Sequence, residues 1–395
     1  MREIYDIYLE NYYEEIFMYI LIVARGYPSE RYKMNGIFEF DQAKALAKAG
    51  HKVIYAAIDV RSIRHKRQWG FESFKKDGVQ IEAINIPCGG IHRIIQYQIR
   101  LIALRILSKR IFRKHSIPDL IHAHFISNSY ITARVFGKSN IPIISTEHFS
   151  AMNKDKLPPY LLKVGKYTYP RMNKVITVST LLAESLNKKF GVKPIIVPNI
   201  LDTTSFKYTK KKGNINAFTF VATGSLITRK GMDILIQAFY KAFKGDKNVR
   251  LYIFGDGPER NKLERLINSL NLSDQVFLMG LVDRKKIADK MSESDCFVLA
   301  SRRETFGVAY IEAMAMGLPV IATKCGGPED FVTNENGILV PVDDIDKLKE
   351  ALIKMHQNID LYDREKISSS TKKSFAPSTI AERLIEVYKD VLRKK

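Results

Sequence analysis

The chain has 395 residues, which predicts two domains, and its net charge of +21 predicts an affinity for anions such as nucleotides, nucleic acid or acidic membranes. Hydrophobic residues make up 46% of it, no apolar run reaches the roughly 20 residues that span a bilayer, and the three cysteines are widely spaced. This composition argues against a disordered chain, a transmembrane bundle and a disulfide or zinc framework, and it fits a reducing cytoplasmic compartment.

The first residues do not resemble a signal peptide, because MREIYDIYLENYYEE is acidic and lacks a basic leading region. MYILIVARGYP, which starts at Met18, has the apolar run of a first strand. We therefore interpret residues 1–17 as either an added N-terminal arm or the product of an upstream start codon chosen in error, and we favour the second interpretation.

From residue 18 onward, short apolar runs alternate with segments of helical periodicity. The predicted strands of the first half are YILIVAR, KVIYAAIDV, VQIEAINIP, LIHAHF, IPIISTEHF, KVITVS and PIIVPN. Those of the second half are FTFVATG, VRLYIFGDG, QVFLMGLV, CFVLAS, PVIAT and GILVPV. Apolar strands joined by helices are typical of parallel sheets covered on both faces. The predicted fold is therefore α/β, with two doubly wound Rossmann-like domains facing a central cleft, where the carboxyl ends of the strands bind ligands.

The join between these domains is predicted in PNILDTTSFKYTKKKGNIN (198–216), a polar stretch rich in turn formers and lysine. This places the first domain at 18–200, the second at 201–375 and a final helix at 376–395.

The segment ETFGVAYIE (304–312) carries two glutamates around a predicted helix start. A helix N-terminus is an anion site, and Gly307 lets a phosphate approach the backbone without a side-chain clash. Glu312 lies roughly 8 Å further along the helix than the phosphate position. A nucleotide-diphosphate sugar over this helix end could offer its sugar hydroxyls to Glu304 and its ribose hydroxyls to Glu312. The alternative for Glu312, a solvated helix face, is disfavoured by its apolar neighbours.

Two further loops follow predicted strands of the second half. In ATGSLITRKGMD the strand ends at Gly224, and Arg229 and Lys230 could clamp a diphosphate and stabilise it as a leaving group. In GDGPER, Gly255 and Gly257 permit a tight backbone approach. An ordinary basic loop is the alternative for the first segment, and the second segment alone is a weak signal.

Together GSLITRKG, GDGPER, ETFGVAYIE and GLPVIATKCGGPED resemble the motifs of retaining glycosyltransferase family 4, which has the GT-B fold. The resemblance runs from about residue 18 to the C-terminus. It implies that Lys230 contacts the donor diphosphate, that Glu304 contacts the transferred sugar and that Glu312 holds the ribose.

The same resemblance extends to backbone groups and to the first half. It implies that the amides of Phe306, Gly307 and Val308 hold phosphate, that Gly36 starts a helix facing the donor, and that His124, the second histidine of DLIHAHF, has a role at the donor sugar. The first domain would then bind the acceptor, the second would bind the nucleotide sugar, and the final helix would cross back to the first.

One position departs from the family pattern, which often has arginine directly after the glycine of the first motif. This chain has Ser225 there. Arg229 or Arg302 could substitute, so the phosphate clamp is the part of the site that the resemblance defines least.

The main alternative for either histidine of DLIHAHF is a hydrogen-bonded structural residue. A metal site with His122, His124, Glu147 and His148 as ligands is a weaker alternative, because spacing alone does not specify one. The DID triplet at 344–346 matches a D-x-D metal motif superficially, and helix capping explains it better. The family generally needs no metal, so we expect no metal and no cofactor, with the nucleotide-diphosphate sugar as donor substrate. The resemblance implies that the reaction retains the anomeric configuration by front-face attack. No residue in the sequence identifies itself as a covalent nucleophile, which agrees with this route.

Residues 91–115 form a basic stretch in a window free of acidic residues. Seven arginines and lysines fall in it, and Ile95, Ile99, Ile102 and Ile106 recur at helical spacing. A basic amphipathic helix of this kind can lie on an anionic membrane, and RSIRHKR (61–67) adds to the charge. The alternative is a core-facing helix with a solvated basic face. A lipid-linked acceptor would account for the membrane interpretation.

We therefore predict a hexosyltransferase that extends a glycan or lipid-linked acceptor in polysaccharide or glycolipid synthesis, cytoplasmic or peripheral at the inner membrane face. The alternatives are a GT-B nucleotide-sugar epimerase, a non-catalytic nucleotide-binding protein and a basic nucleic-acid-binding protein. No nucleic acid is expected, because no recognised binding module accompanies the charge.

Overall fold

The computed structural model describes residues 17–64, 68–209 and 217–394. The predictions for residues 1–16, for 65–67 of the basic stretch and for 210–216 of the interdomain segment lie outside the described residues. The chain divides into two compact units. The first comprises the described parts of Met1–Glu147, Pro158–Ile176 and Ala381–Lys395, and the second comprises His148–Leu157 and the described parts of Thr177–Ile380.

The first sheet follows the order β3-β4-β2-β1-β5-β6-β7-β8. Its strands are β1 (Tyr19–Ala24), β2 (Lys52–Val60), β3 (Gly70–Lys76), β4 (Val79–Ile86), β5 (Leu120–His124), β6 (Ile143–Glu147), β7 (Lys174–Thr177) and β8 (Ile195–Ile196). The pairs β1–β2, β1–β5, β2–β4 and β5–β6 are parallel, whereas β3 runs antiparallel to β4. Every residue of β1, β5 and β6 is buried, as expected for central parallel strands.

The helices of this part of the chain are α1 (Ile37–Lys48), α2 (Arg93–His115), α3 (Phe125–Phe136), α4 (Pro159–Thr168) and α5 (Thr180–Phe190). The helix α2 packs on α3, β2 and β4. Its core-facing residues are Leu101, Leu104, Leu107 and Ile111, which join the buried cluster around β1 and β5. Of these helices, α1 to α4 belong to the first unit and α5 belongs to the second, and the described residues from Ala381 onward belong to the first unit.

The second sheet follows the order β11-β10-β9-β12-β13-β14, and its adjacent strands pair in parallel. Its strands are β9 (Phe218–Thr223), β10 (Val249–Phe254), β11 (Val276–Gly280), β12 (Cys296–Leu299), β13 (Val320–Thr323) and β14 (Gly337–Val340). The remaining helices of the chain are α6 (Met232–Phe243), α7 (Arg260–Ser269), α8 (Arg284–Glu293), α9 (Val308–Ala315), α10 (Ile345–Gln357), α11 (Arg364–Phe375) and α12 (Pro377–Arg393). From Ala381 onward, α12 belongs to the first unit. The predicted α/β class with two mainly parallel sheets is confirmed.

The DID triplet also follows its sequence prediction. Asp344 caps α10 by accepting a hydrogen bond from the amide of Lys347 at 2.9 Å, so the DID triplet has the predicted capping role. Cys296 and Cys325 are buried and Cys88 is half-buried, and each is a free thiol. None of the helices in the described ranges is long and apolar enough to cross a membrane.

Candidate active site

The second unit places Lys230 against Glu304 at the carboxyl ends of two neighbouring strands. Lys230 ends a 3-10 turn (Thr228–Lys230) after β9, and Glu304 lies in the loop between β12 and α9. Lys230 Nζ lies 2.5 Å from Glu304 Oε1, and Ser301 Oγ donates to the same oxygen at 2.7 Å. Glu304 is 6% exposed. A buried carboxylate with a fixed cation is a specific arrangement, because an unpaired charge at this depth would be costly.

Arg229 adds a second cation to the same carboxylate. Its Nη1 lies 3.8 Å from Glu304 Oε2 and donates to the carbonyl oxygen of Arg303 at 3.1 Å. Two cations facing one carboxylate leave a local excess of positive charge. Such an excess suits a doubly negative group such as a diphosphate.

Arg302 is the other candidate substitute for the missing arginine, but its guanidinium binds carboxylates other than Glu304. Its two terminal nitrogens each lie 3.0 Å from a carboxylate oxygen of Asp233, and its Nε lies 2.6 Å from Asp343 Oδ1. The hydrogen bond to Asp233 raises the pKa of the Arg302 guanidinium, and the charge of Asp343 adds to the effect. Of the two arginines, Arg229 is therefore the one beside Glu304.

The loop after Glu304 turns into α9 through Gly307. Gly307 has a φ of 100° and precedes Val308, the first residue of α9. A side chain at Gly307 would need a strained left-handed backbone and would lie 2.7 Å from the ring of Tyr310. Phe306 is buried against Phe331 and Phe375, which anchors the turn. The helix end thus has a fixed backbone, and the first amides of a helix have no intrahelical partners.

A second loop, which the sequence analysis quoted without assigning a role, supports this turn. The carbonyl oxygen of Cys325 accepts from the amide of Glu304 at 3.1 Å. A Cβ at Gly327 would lie 2.2 Å from the carbonyl oxygen of Phe306, so only glycine fits there. Both carboxylate oxygens of Glu329 accept from the amide of Gly326 at 3.0 Å. The paired glycines of KCGGPED were the available sequence signal for this support.

Glu312 pairs with an arginine that the sequence analysis did not identify. Arg284, at the start of α8, donates to Glu312 Oε1 through its Nη2, and its Nε lies 3.4 Å from Asp202 Oδ2. Burial would raise the pKa of Asp202, but hydrogen bonds from Thr204 and Ser205 and the charge of Arg284 lower it to about 2. The side chain of Glu312 is 12% exposed, so the alternative of a solvated helix face is wrong.

The predicted donor glycines of the second unit lie where two loops meet. The amide of Gly224 donates to the carbonyl oxygen of Phe254 at 2.9 Å, and a Cβ at Gly255 would lie 1.9 Å from the carbonyl oxygen of Gly224. A Cβ at Gly257 would lie 2.4 Å from the carbonyl oxygen of Leu226. These glycines therefore allow two loops to pack closely, and their roles toward a donor stay predictions.

In the first unit, the two histidines of β5 have different surroundings. His122 Nδ1 lies 2.7 Å from the hydroxyl of Tyr388, and its Nε2 lies 2.7 Å from Thr146 Oγ1. Burial lowers the pKa of His122 to about 3, so the ring is neutral at physiological pH. His122 thus has the partners of a structural residue. His124 is fully buried at the strand end, directly before α3.

The alternative metal site draws on residues with other partners. Glu147 Oε2 accepts from the amide of Ile126 at 2.9 Å and from the hydroxyl of Tyr169 at 2.7 Å. Across the parts of the chain that the structure describes, no group of three or more histidine, cysteine or acidic residues is placed to hold a metal ion. The expectation that the reaction uses no metal stays a prediction.

Gly36 lies in a polar cleft of about 670 Å³ in the first unit. It immediately precedes α1 with a φ of 67°, and the hydroxyl of Tyr55 donates to its carbonyl oxygen at 3.2 Å. Three arginines line the same cleft: Arg25, Arg61 and Arg100.

The chain matches two family models, one in each half. The model described as "Glycosyltransferase Family 4" matches residues 40–205, and the model described as "Glycosyl transferases group 1" matches residues 205–374. An uncharacterized glycosyltransferase of Methanocaldococcus jannaschii is 30% identical over 257 residues, which are 65% of this chain and 70% of that protein.

Other similarities are more distant. A phosphatidylinositol N-acetylglucosaminyltransferase chain of Arabidopsis thaliana is 25% identical over 293 residues, which are 72% of this chain, and the match spans 64% of that relative's length. Sucrose-phosphate synthase from Thermosynechococcus elongatus has a similar fold, with a TM-score of 0.80 at 21% identity over 96% of this chain and 100% of that chain.

Proposed function

The chain belongs to glycosyltransferase family 4, and from that premise we propose that it transfers a sugar from a nucleotide-diphosphate sugar to a glycan or lipid-linked acceptor, with retention of configuration. The observation that carries the proposal is the Lys230–Glu304 pair at the start of α9, with Arg229 beside it and Glu312 further along the same helix. Positive charge, a buried carboxylate and helix-end amides are the groups that a nucleotide-diphosphate sugar requires.

The chemistry assigns a part to each group. The bond between the anomeric carbon and the diphosphate oxygen breaks, and the acceptor hydroxyl forms a new bond to that carbon from the same face. The acceptor proton passes to the departing diphosphate oxygen. Lys230, Arg229 and the positive end of α9 stabilise the negative charge that develops on the diphosphate. These cations supply the neutralisation that a metal would otherwise provide, and we propose that no metal takes part.

The two glutamates hold the donor on either side of the diphosphate. We assign the sugar hydroxyls to Glu304 and the ribose hydroxyls to Glu312, because a carboxylate accepts charge-assisted hydrogen bonds from hydroxyl groups. Arg284 then orients Glu312. His124 completes the proposed set, and it acts at the donor sugar.

The outer face of α2 supports a membrane-bound acceptor. Ile94, Ile95, Ile102 and Ile106 are 48–66% exposed, and five exposed cations lie toward the C-terminal end of the same helix: Arg105, Lys109, Arg110, Arg113 and Lys114. Exposed isoleucines beside cations match an anionic lipid surface, where each cation contributes about 1 kcal/mol. One relative is named for a transfer to phosphatidylinositol, which is itself a lipid. We therefore propose that the enzyme works at the inner face of a membrane, in glycolipid or polysaccharide synthesis.

A transfer assay tests the proposal. Purified protein is incubated with UDP-, GDP- and ADP-sugars, with and without lipid-linked or glycan acceptors, and the products are followed by mass spectrometry and by NMR of the anomeric proton. We expect nucleotide diphosphate release that depends on an acceptor, with the donor configuration retained in the product. Conversion of the sugar without transfer would identify an epimerase. Binding without turnover would identify a non-catalytic protein.

A further inference from the structure

The polar cleft of the first unit collects three arginines at the carboxyl ends of β1 and β2. Arg25 follows β1, Arg61 follows β2, and Arg100 reaches the cleft from α2. They line the same space of about 670 Å³ as the backbone before α1. The mechanism above uses none of these arginines.

Arg25 and Arg61 are each held by a carboxylate and a ring. Arg25 Nε lies 3.1 Å from Glu39 Oε1, and its guanidinium carbon lies 3.4 Å above the ring centre of Phe125. Arg61 Nε lies 2.9 Å from Asp59 Oδ1, and its guanidinium lies 3.9 Å from the ring centre of Tyr32. Both side chains are therefore fixed in position, although their charges are largely balanced.

Arg100 differs because its hydrogen-bond partner is neutral. Its Nη2 donates to the amide oxygen of Asn128 at 2.7 Å. Its Nε is inaccessible to solvent and has no acceptor among the residues that the structure describes. Burial lowers the pKa of the Arg100 guanidinium, and the charge of Arg25 also lowers it. A bound anion would oppose both effects.

The walls of the cleft are shaped by backbone. The amide of Gly89 donates to the carbonyl oxygen of Arg61 at 2.6 Å, and a Cβ at Gly89 would lie 2.1 Å from the amide nitrogen of Ser62. This contact fixes the Gly89–Gly90 loop against the end of β2. Gly36, directly before α1, lines the same cleft, so the positive end of a 12-residue helix adds to the field of the arginines.

We propose that this cleft binds a phosphate or carboxylate group of the acceptor, with the Arg100 guanidinium as its principal ion-pair partner. A planar guanidinium can donate two parallel hydrogen bonds to such a group. The inference rests on the proposed function, since it names the chemical class of the acceptor. The donor diphosphate has the same anionic chemistry and is the competing occupant, so the test separates the two sources.

The experiment uses glycerol 3-phosphate and inorganic phosphate as acceptor probes, neutral glycerol as their control, and nucleoside diphosphates as donor probes. Thermal stabilisation is measured at constant ionic strength for the wild type, Arg100→Gln, Arg100→Lys and the control Arg171→Gln. Arg171 is an exposed arginine of the same unit outside the cleft. Arg100→Lys preserves the charge, so it keeps the test decisive if Arg100→Gln does not fold.

We expect the phosphate probes, and not glycerol, to stabilise the wild type and Arg171→Gln. Arg100→Gln should weaken phosphate binding at least ~10-fold, which corresponds to about 1.4 kcal/mol, because it removes a charged hydrogen bond to the anion. The loss should be smaller in Arg100→Lys. Nucleoside diphosphate binding should be unchanged in both Arg100 variants. No phosphate binding, an equal loss in Arg171→Gln, or a loss confined to nucleoside diphosphates would overturn the inference. Transfer to a neutral acceptor would do so too, yet it would leave the proposed glycosyltransferase function intact.

Discussion

Lys230 Nζ lies 2.5 Å from one oxygen of the Glu304 carboxylate, and Arg229 Nη1 lies 3.8 Å from the other. The two loops that carry these residues are separated by more than 70 positions in the sequence and follow neighbouring strands of the second sheet. The two paired groups have different roles in the proposed reaction. The lysine would stabilise the departing diphosphate, and the carboxylate would hold the sugar that remains.

Glu304→Gln should lower kcat about 10²–10³-fold, because it removes a charged contact that is strongest in the transition state. Its effect on nucleotide diphosphate binding should be small, since the proposed ribose contact is at Glu312. Lys230→Met should lower kcat by a similar factor. The double variant should lose less than the product of the two factors, because the groups act as a unit.

Steady-state kinetics checks this prediction, with Glu350→Gln as the matched control. Glu350 is an exposed carboxylate of α10 that pairs with Lys347 on the same helix. A wild-type rate in Glu304→Gln would remove this carboxylate from the mechanism.

Gly231 should tolerate alanine much less well than Gly245. Both have positive φ, 64° and 84°, which costs an L-residue about 1–2 kcal/mol. A Cβ at Gly231 would also lie 1.8 Å from the carbonyl oxygen of Ala300, whereas a Cβ at Gly245 meets nothing within 4 Å. Gly231→Ala should therefore cost about 1–3 kcal/mol more than Gly245→Ala. Unfolding midpoints of the two variants provide the comparison, and equal midpoints would show that the contact does not limit this turn.

His122 should make the protein less stable in acid. Burial lowers its pKa from 6.5 to about 3, so below pH 6.5 the unfolded chain binds a proton that the folded chain does not. The free energy of unfolding therefore falls as the pH falls from 6.5 toward 3, by up to about 1.4 kcal/mol per pH unit, and this contribution is constant above pH 6.5.

Thermal unfolding across this pH range checks the sign. His122→Gln should make the free energy of unfolding depend less steeply on pH. His92→Gln, a change at an exposed histidine, should leave that dependence as in the wild type. The two variants would have the same slope if His122 did not contribute.

The outer face of α2 should bind anionic vesicles and not neutral ones. Lys109→Gln with Arg113→Gln should weaken this binding by about 2 kcal/mol, a factor of roughly 30, at low salt. The control is Lys138→Gln with Arg171→Gln, which removes two exposed cations from other elements of the same unit. Vesicle flotation measures the partitioning. Equal losses in both double variants would show that vesicle binding depends on the net charge of the protein and not on the outer face of α2.

Local sequence pattern was sufficient for the buried parallel strands and for the loops that follow them, but it did not predict β3, which lacks a buried face and runs antiparallel to β4. CFVLAS and FTFVATG are apolar runs of strand length, and both became buried strands of one parallel sheet. The candidate site residues Lys230 and Glu304 were identified because each follows such a strand. Parallel strands bring their carboxyl ends to one edge of the sheet, so the sheet topology itself places Lys230 and Glu304 close together.

The partners of these residues could not be predicted in the same way. Arg284 is one of 63 basic residues, and its pairing with Glu312 and Asp202 depends on how α8 packs, which no local period encodes. The orientation of α2 was also ambiguous, because isoleucines and leucines form two stripes at helical spacing. The structure buries the leucine stripe and leaves Ile95, Ile102 and Ile106 about half exposed.

The most direct test of the donor site is nucleotide-dependent thermal stabilisation of the wild type, Glu312→Ala and the control Glu350→Ala. UDP, GDP, ADP and their sugar conjugates are titrated without added metal, and each shift is referred to the variant's own unliganded midpoint. This reference matters because Glu312→Ala also removes a partner of Arg284. We predict a midpoint that rises with occupancy for one nucleotide base in the wild type and in Glu350→Ala, and that stays unchanged in Glu312→Ala. The absence of a shift with every nucleotide, or an equal shift in Glu312→Ala, would contradict the assignment of the α9 helix end as the donor site.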